Sequence, residues 1–237
     1  MIGHPPSMPH RDATLARVSD VRTFHGRAGR LGPAAQQALV DHWPRFGVTF
    51  TDQMLDFDRL FDGRDVVVEL GSGMGEATAA MAQADPDTGI LAIEVHTAGV
   101  AALLRRIEDA QLDNVRVMHC DGVPVLQQMI APDALAGVRL FFPDPWPKAR
   151  HHKRRFVRPD LVHLVARRLA PEGLFHTATD WADYADQMLA VMSAEPLLVN
   201  RFDGFAPRPT WRPLTRFERK GLRQGHTVAD LLFARRG

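Results

Sequence analysis

The chain has 237 residues, 45% hydrophobic and 24% charged, with a formal net charge of +1. That fits one α/β domain with short appended tails and leaves too little chain for a second full domain. Its single cysteine, Cys120, excludes an intrachain disulfide and a cysteine cage for metal, and sets a reducing, cytoplasmic compartment as the expectation.

In chain order, the first 30 residues are basic, with Arg11, Arg17, Arg22, Arg27 and Arg30 set against Asp12 and Asp20, and they carry little apolar periodicity. They lack the apolar core of a signal peptide and read as a mobile, solvated arm. Residues 1–44 are assigned to this basic, flexible arm and residues 45–237 to the folded domain. Beyond it, apolar runs of strand length alternate with amphipathic stretches, the pattern of a largely parallel sheet with crossover helices. The predicted strands are Val66–Leu70, Ile90–Glu94, Val115–His119, Val138–Phe142 and Leu174–Thr179, with two late ones at Leu197–Phe202 and Val228–Ala234. Helices are expected over Glu76–Ala84, Ala98–Ala110, Val123–Ile130, Pro159–Ala170 and Trp181–Ala194. No apolar run approaches the roughly 18 residues that a membrane span needs.

Ligands in such sheets bind just beyond the strand ends, beside helix N-termini. The first strand ends in Glu69-Leu-Gly71-Ser-Gly73-Met-Gly75, a glycine-rich turn entering a helix. Glycines there permit a tight turn and close backbone approach by a ligand. Nineteen residues after Gly75 the second strand ends at Glu94, where a carboxylate can accept both hydroxyls of a ribose. The loop is G-x-G-x-G without a following G-K-[ST], which argues against a nucleoside triphosphatase and gives little support to a dinucleotide. Glu69 would repel a diphosphate but attract an ammonium or a sulfonium, and S-adenosyl-L-methionine carries both. Asp121, after the third strand, suits the adenine amino group or, equally, an N-cap of the next helix.

The fourth strand runs into Pro143-Asp144-Pro145-Trp146-Pro147-Lys148, followed by Arg150, His151, His152, Lys153, Arg154 and Arg155. From Lys148 to Arg158 there are six Lys or Arg and no acid, so the near-neutral total conceals a basic patch. Taken alone, such a run is a solvated face and Asp144 a turn residue between prolines. His151 and His152 add to the basic face rather than to a metal site, and no metal is expected. Thr215-x-x-Glu218 reads either as a grip on a base or as a capping box. Trp146, Trp181 and Trp211 could stack on bases, but buried packing is the favoured reading for each singly.

The P-D-P-W-x-K run with its K-R-R cluster, the glycine loop after Glu69, Ile-Glu94-Val-His, Asp121, Thr179-Asp180-Trp181, and Thr215-Arg216-Phe217-Glu218-Arg219 with Gly221 together resemble the bacterial tRNA (guanine-N7)-methyltransferase family. The resemblance covers residues 45–235. It implies a Rossmann-like class I S-adenosylmethionine-dependent methyltransferase with a mostly parallel seven-stranded sheet and helices on both faces. It also implies methyl transfer to N7 of a guanine in the variable loop of tRNA, leaving S-adenosyl-L-homocysteine. By that resemblance Glu69, Gly71, Gly73, Glu94, Asp121 and Asp144 bind the cofactor, and Asp144 is also catalytic. Lys148, Asp180, Thr215, Arg216, Phe217 and Glu218 would bind substrate, while residues 150–155 would contact RNA. A monomer without an obligate protein partner is expected. The rival readings are a methyltransferase for a small molecule or protein, and a non-catalytic RNA-binding chain.

Overall fold

The computed structural model describes residues 21–24, 31–223, 225 and 227–237. Most of the expected basic arm lies outside these residues. A seven-stranded sheet forms the centre: β1 (Asp65–Leu70), β2 (Thr88–Glu94), β3 (Val115–His119), β4 (Leu135–Phe141), β5 (Leu169–Thr179), β6 (Leu198–Asn200) and β7 (Ala229–Arg235). Their order is β3-β2-β1-β4-β5-β7-β6. The first five are parallel, whereas β7 is antiparallel to both of its neighbours. The sheet is therefore mixed rather than wholly parallel. β7 inserts in reverse between β5 and β6. The order reverses between β1 and β4, which opens a crevice at their carboxyl ends.

Strand residues alternate between two cores, as a period of two requires. Leu91 and Ile93 of β2, with Val66 and Val68 of β1, pack against α5 (Gly122–Gln128), α6 (Pro159–Arg168) and α7 (Ala182–Ala194). Ile90 and Ala92, with Val115 and Val117 of β3, face α1 (Pro33–Phe46), α3 (Glu76–Ala84) and α4 (Thr97–Asp109). Two short helices complete the described chain, α2 (Phe57–Phe61) and α8 (Arg216–Arg223), along with a 3-10 helix at Ala149–Arg154.

Helix α1 corrects the assignment of residues 1–44 to a flexible arm. Pro33 starts it, the position where its missing N–H costs nothing. Ala38 and Phe46 are buried, and Leu39 and Trp43 pack on the second core. The folded domain thus begins about twelve residues earlier than the sequence pattern suggests, because the burying stripe is thin and Pro44 interrupts its last turn.

The helices also press onto the crevice. A Cβ at Gly99, in the first turn of α4, would stand 2.4 Å from the Gly73 carbonyl oxygen and 3.0 Å from Glu94 Cγ. Gly99→Ala is expected to destabilise the fold by about 1–3 kcal/mol, the range for overpacking, and to weaken ligand binding at the glycine turn. Urea denaturation checks the first effect, and a variant as stable as the wild type would refute this packing constraint.

Candidate active site

Gly71, Gly73 and Gly75 all have positive φ, at 77°, 56° and 74°. A side chain at 71 or 73 would meet nothing within 4 Å, so glycine is required there by conformation, and the space in front stays open. The turn hangs from β2 through Gly71 N–H to the Ile93 carbonyl at 2.8 Å, and it delivers the N-terminus of α3 to the crevice.

Glu69 is 3% exposed. Burial, opposed by the Thr78 hydroxyl and the Arg139 charge and reinforced by Glu94, raises its carboxyl above the ordinary range. Its Oε2 and the Ser72 hydroxyl are buried without a hydrogen-bond partner among the described residues. An orphaned carboxylate oxygen beside an open glycine turn fits a cationic ligand group, since a cation would restore the lost hydration. These residues line a cleft of about 1140 Å³ with Phe141, Phe142, Arg212, Thr215 and Arg219.

Glu94 is held differently. Its Oε2 accepts from Gly73 N–H and its Oε1 from His96 N–H, each at 2.7 Å. The carboxylate is fixed in place, with lone pairs remaining for a ligand. Asp121 caps α5, accepting from Val123 N–H at 3.0 Å, so the capping role weighed for it is present. Both acids line a second cavity of about 200 Å³ together with Asp144, Gly71, Phe141, Phe142, Thr23 and Phe24. The two hollows meet at Gly71, Phe141 and Phe142. The Cys120 thiol is pushed up to about 11 by burial and by Asp121, and so stays protonated and unreactive at neutral pH.

Asp144 rides on a braced loop. Phe142 and Trp146, which flank Pro143-Asp144-Pro145, both adopt left-handed backbone at φ 51° and 46°. Bulky residues rarely do so, at a cost of about 1–3 kcal/mol each. Phe142 N–H bonds the Ala178 carbonyl of β5 at 2.7 Å, and Trp146 donates to the Thr23 carbonyl at 3.2 Å. Trp146 is buried, which favours packing over base stacking for this tryptophan.

Arg155 braces the loop from below and departs from the RNA-contact expectation. It is 1% exposed, donates to the Pro145 carbonyl at 2.8 Å, and grips Gln187 and Asp183 of α7. Its guanidinium lies 4.7 Å from the Tyr184 ring centroid and holds the Asp183 carboxyl below the ordinary range. Lys148, Arg150, Lys153 and Arg154 are exposed, with His151 and His152 half-buried, and together they form a cationic ledge beside the loop.

Asp180 follows β5, whose end neighbours that of β4, but neither cavity is lined by it or by Lys148. Thr215 lines the larger cleft and caps α8, its hydroxyl accepting from Glu218 N–H at 3.2 Å. Glu218, 3% exposed, turns inward so that both carboxylate oxygens meet Arg212 at 2.8 Å. The side chains of Arg216 and Phe217 lie outside the described residues. Arg212 also grips Asp230 at 2.7 and 2.9 Å, and Asp230 pairs with His176 at 2.7 Å. Nothing local in the sequence signals this network, whose members come from β5, β7, α8 and one loop; a buried aspartate within an apolar strand was the one available hint. Phe24 was likewise missed.

Fold and site define a methyltransferase of the Rossmann-like class I. Solved structures support the fold: a 16S rRNA methyltransferase, KamB, aligns at TM-score 0.56 and 15% identity over 78% of this chain and 95% of its own. TrmN from Thermus thermophilus aligns at 0.52 and 14% over 76% and 47%. A family model described as "Putative methyltransferase" matches residues 63–231. A tRNA (guanine-N(7)-)-methyltransferase of Paraburkholderia xenovorans is 51% identical over 92% of this chain and 84% of its own, and one from Nitrosospira multiformis is 46% identical over 100% and 99%. The chain belongs to the tRNA (guanine-N(7)-)-methyltransferase family.

The raised Glu69 carboxyl carries a pH signature. The native state keeps this proton where the unfolded chain has lost it, so stability falls as pH rises from the ordinary value of 4.5 toward the raised folded value. Glu69→Gln removes that penalty. The variant should melt higher than the wild type at neutral pH, converge with it below about pH 4.5, and bind S-adenosyl-L-methionine more weakly by calorimetry. Equal melting temperatures across that range would contradict the buried-carboxylate reading.

Proposed function

We propose that the chain transfers a methyl group from S-adenosyl-L-methionine to N7 of a guanine in the variable loop of tRNA, as its family membership implies. The observation that carries the proposal is the meeting of Glu94, Asp121 and Asp144 in one cavity that joins the Glu69 cleft at Gly71, Phe141 and Phe142. When bound, the cofactor supplies an electrophilic methyl on a sulfonium. Glu94 would hold the ribose hydroxyls, Asp121 the adenine edge, and Glu69 with the Gly71–Gly73 turn the cationic end.

Guanine N7 carries a lone pair and no hydrogen, so no base need remove a proton before attack. Positioning then dominates the rate. Methylation leaves positive charge on the purine, and a fixed carboxylate stabilises such charge without accepting a proton. Asp144 is suited to that task because its loop is locked by two prolines, two left-handed neighbours and Arg155. Asp180, at the adjacent strand end, would accept from guanine N1–H and the exocyclic amine, a pattern that adenine lacks. Lys148, Arg150, Lys153 and Arg154 would pair with phosphates, giving affinity that falls with salt. Arg155 serves position instead. No helix among the described residues is long and apolar enough to cross a membrane, and a tRNA substrate suits a cytoplasmic enzyme.

Incubation with labelled S-adenosyl-L-methionine and unmodified tRNA, followed by nucleoside analysis, should yield 7-methylguanosine; product at another atom would overturn the assignment. Asp144→Ala is expected to lower kcat by about 10²–10³, the range for losing one preorganised electrostatic group, and retention of full turnover would remove its catalytic role. Replacing Lys153 and Arg154 by alanine should flatten the salt dependence of tRNA binding. Arg155→Ala should leave that slope unchanged and lower turnover. The same slope change in both variants would return Arg155 to the RNA surface.

A further inference from the structure

Helix α8 has the sequence Arg-Phe-Glu-Arg-Lys-Gly-Leu-Arg, four cations and one acid. Its acid does not offset its charge at the surface. Glu218 is buried, with both oxygens on Arg212, and Arg212 is fixed in turn by Asp230. Arg219 and Arg223 are exposed, and both line the larger cleft, whereas Asp144 lines the smaller cavity. Arg219 reaches Glu76 at 3.5 Å with both side chains roughly half exposed, a contact of little strength that a phosphate can displace.

We propose that α8 is a second phosphate-binding ledge, which grips the tRNA backbone across the crevice from the Lys148–Arg154 ledge. The proposal rests on the tRNA reading above and adds a surface to it. Base reading needs a nucleotide held over the crevice, and cations on one side alone would leave the RNA free to pivot. The Arg212–Glu218–Asp230 network gives the second side its rigidity and its sign. Asp230 and Arg212 act as positioning residues: they keep the helix's carboxylate inside and set Arg219 and Arg223 toward the cleft. Phosphate pairing by such exposed guanidiniums contributes affinity without sequence information.

The test titrates the full chain and its Arg219→Ala/Arg223→Ala variant with unmodified tRNA across a salt series, with melting temperatures alongside. The slope of log affinity against log salt should become shallower by about 2, about one for each phosphate-bound cation, and KM for tRNA should rise. The single variant Arg223→Glu keeps the test valid if the double variant unfolds, and it should weaken tRNA binding further than Arg223→Ala does. An unchanged slope in a folded variant would overturn the ledge. A wild type that leaves tRNA unmethylated while the slope difference persists would sustain the ledge and sink the proposed reaction. A wild type that methylates N7 with no slope difference would do the reverse.

Discussion

A 2.7 Å hydrogen bond from Gly73 N–H to Glu94 Oε2 joins the two halves of the crevice. It ties the turn after β1 to the end of β2, and it exists only because several other choices agree. Gly73 must sit at positive φ, and Gly99 must present no side chain to the Gly73 carbonyl. Glu94 must stand at the strand end where His96 N–H takes its other oxygen. With these in place the turn is a fixed surface, and Glu69 beneath it keeps an oxygen that no donor among the described residues satisfies. One carboxylate is held by the backbone, and its neighbour is left in need of a cation. The proposed placement of a ribose at one end of the crevice and a sulfonium at the other draws on that asymmetry.

The other wall depends on strain that the fold absorbs. Left-handed conformations at Phe142 and Trp146 together cost a few kcal/mol, and the loop keeps them because its surroundings over-determine it. Phe142 N–H is tied to β5, Trp146 to Thr23, and Pro145 to Arg155. Burying Arg155 is expensive unless its donors are satisfied, and Pro145, Gln187 and Asp183 supply acceptors for them. A cation drawn from the basic run is thus spent on holding an aspartate still. Charge counting along the sequence could not separate it from its exposed neighbours Lys153 and Arg154.

The parts legible in the sequence were those with local causes. Apolar runs marked β1 to β3 because buried parallel strands need side chains on both faces, and three glycines marked a turn that only positive φ can make. The helix α3 emerged with its bounds intact, since Gly75 starts it and the Asp85-Pro pair ends it. Elements with distributed causes were misread. Helix α1 buries little beyond Ala38, Leu39, Trp43 and Phe46, too sparse a stripe to stand out beside Pro44. The start of β5 hid behind Pro171, Glu172 and Gly173, which form an irregular pairing with β4 before the ladder proper begins at Gly137 and Leu174. The reversal of β7 follows from where the chain returns, not from any residue within it. The candidate site acids were legible because each lies at or just beyond a strand end. Glu218 was singled out in sequence but not in orientation, since its partner Arg212 and the Asp230 that holds Arg212 lie on opposite sides of it along the chain.

The chain's near-neutral charge takes on a different meaning once depth is considered. Glu69 and Glu94 are buried in the crevice, and Glu218 and Asp230 are buried around Arg212, whereas Lys153, Arg154, Arg219 and Arg223 are exposed at or near its margins. Exposed charges are screened beyond about 8 Å at physiological salt, while buried ones are screened much less. A molecule approaching past these four exposed side chains therefore meets cations first, and a small cation that enters the crevice meets carboxylates at close range. A polyanion and a positively charged methyl donor make opposite electrostatic demands on one site. Separating the two signs by depth meets both demands with no net charge to spare, and composition, which averages over depth, reports only their sum.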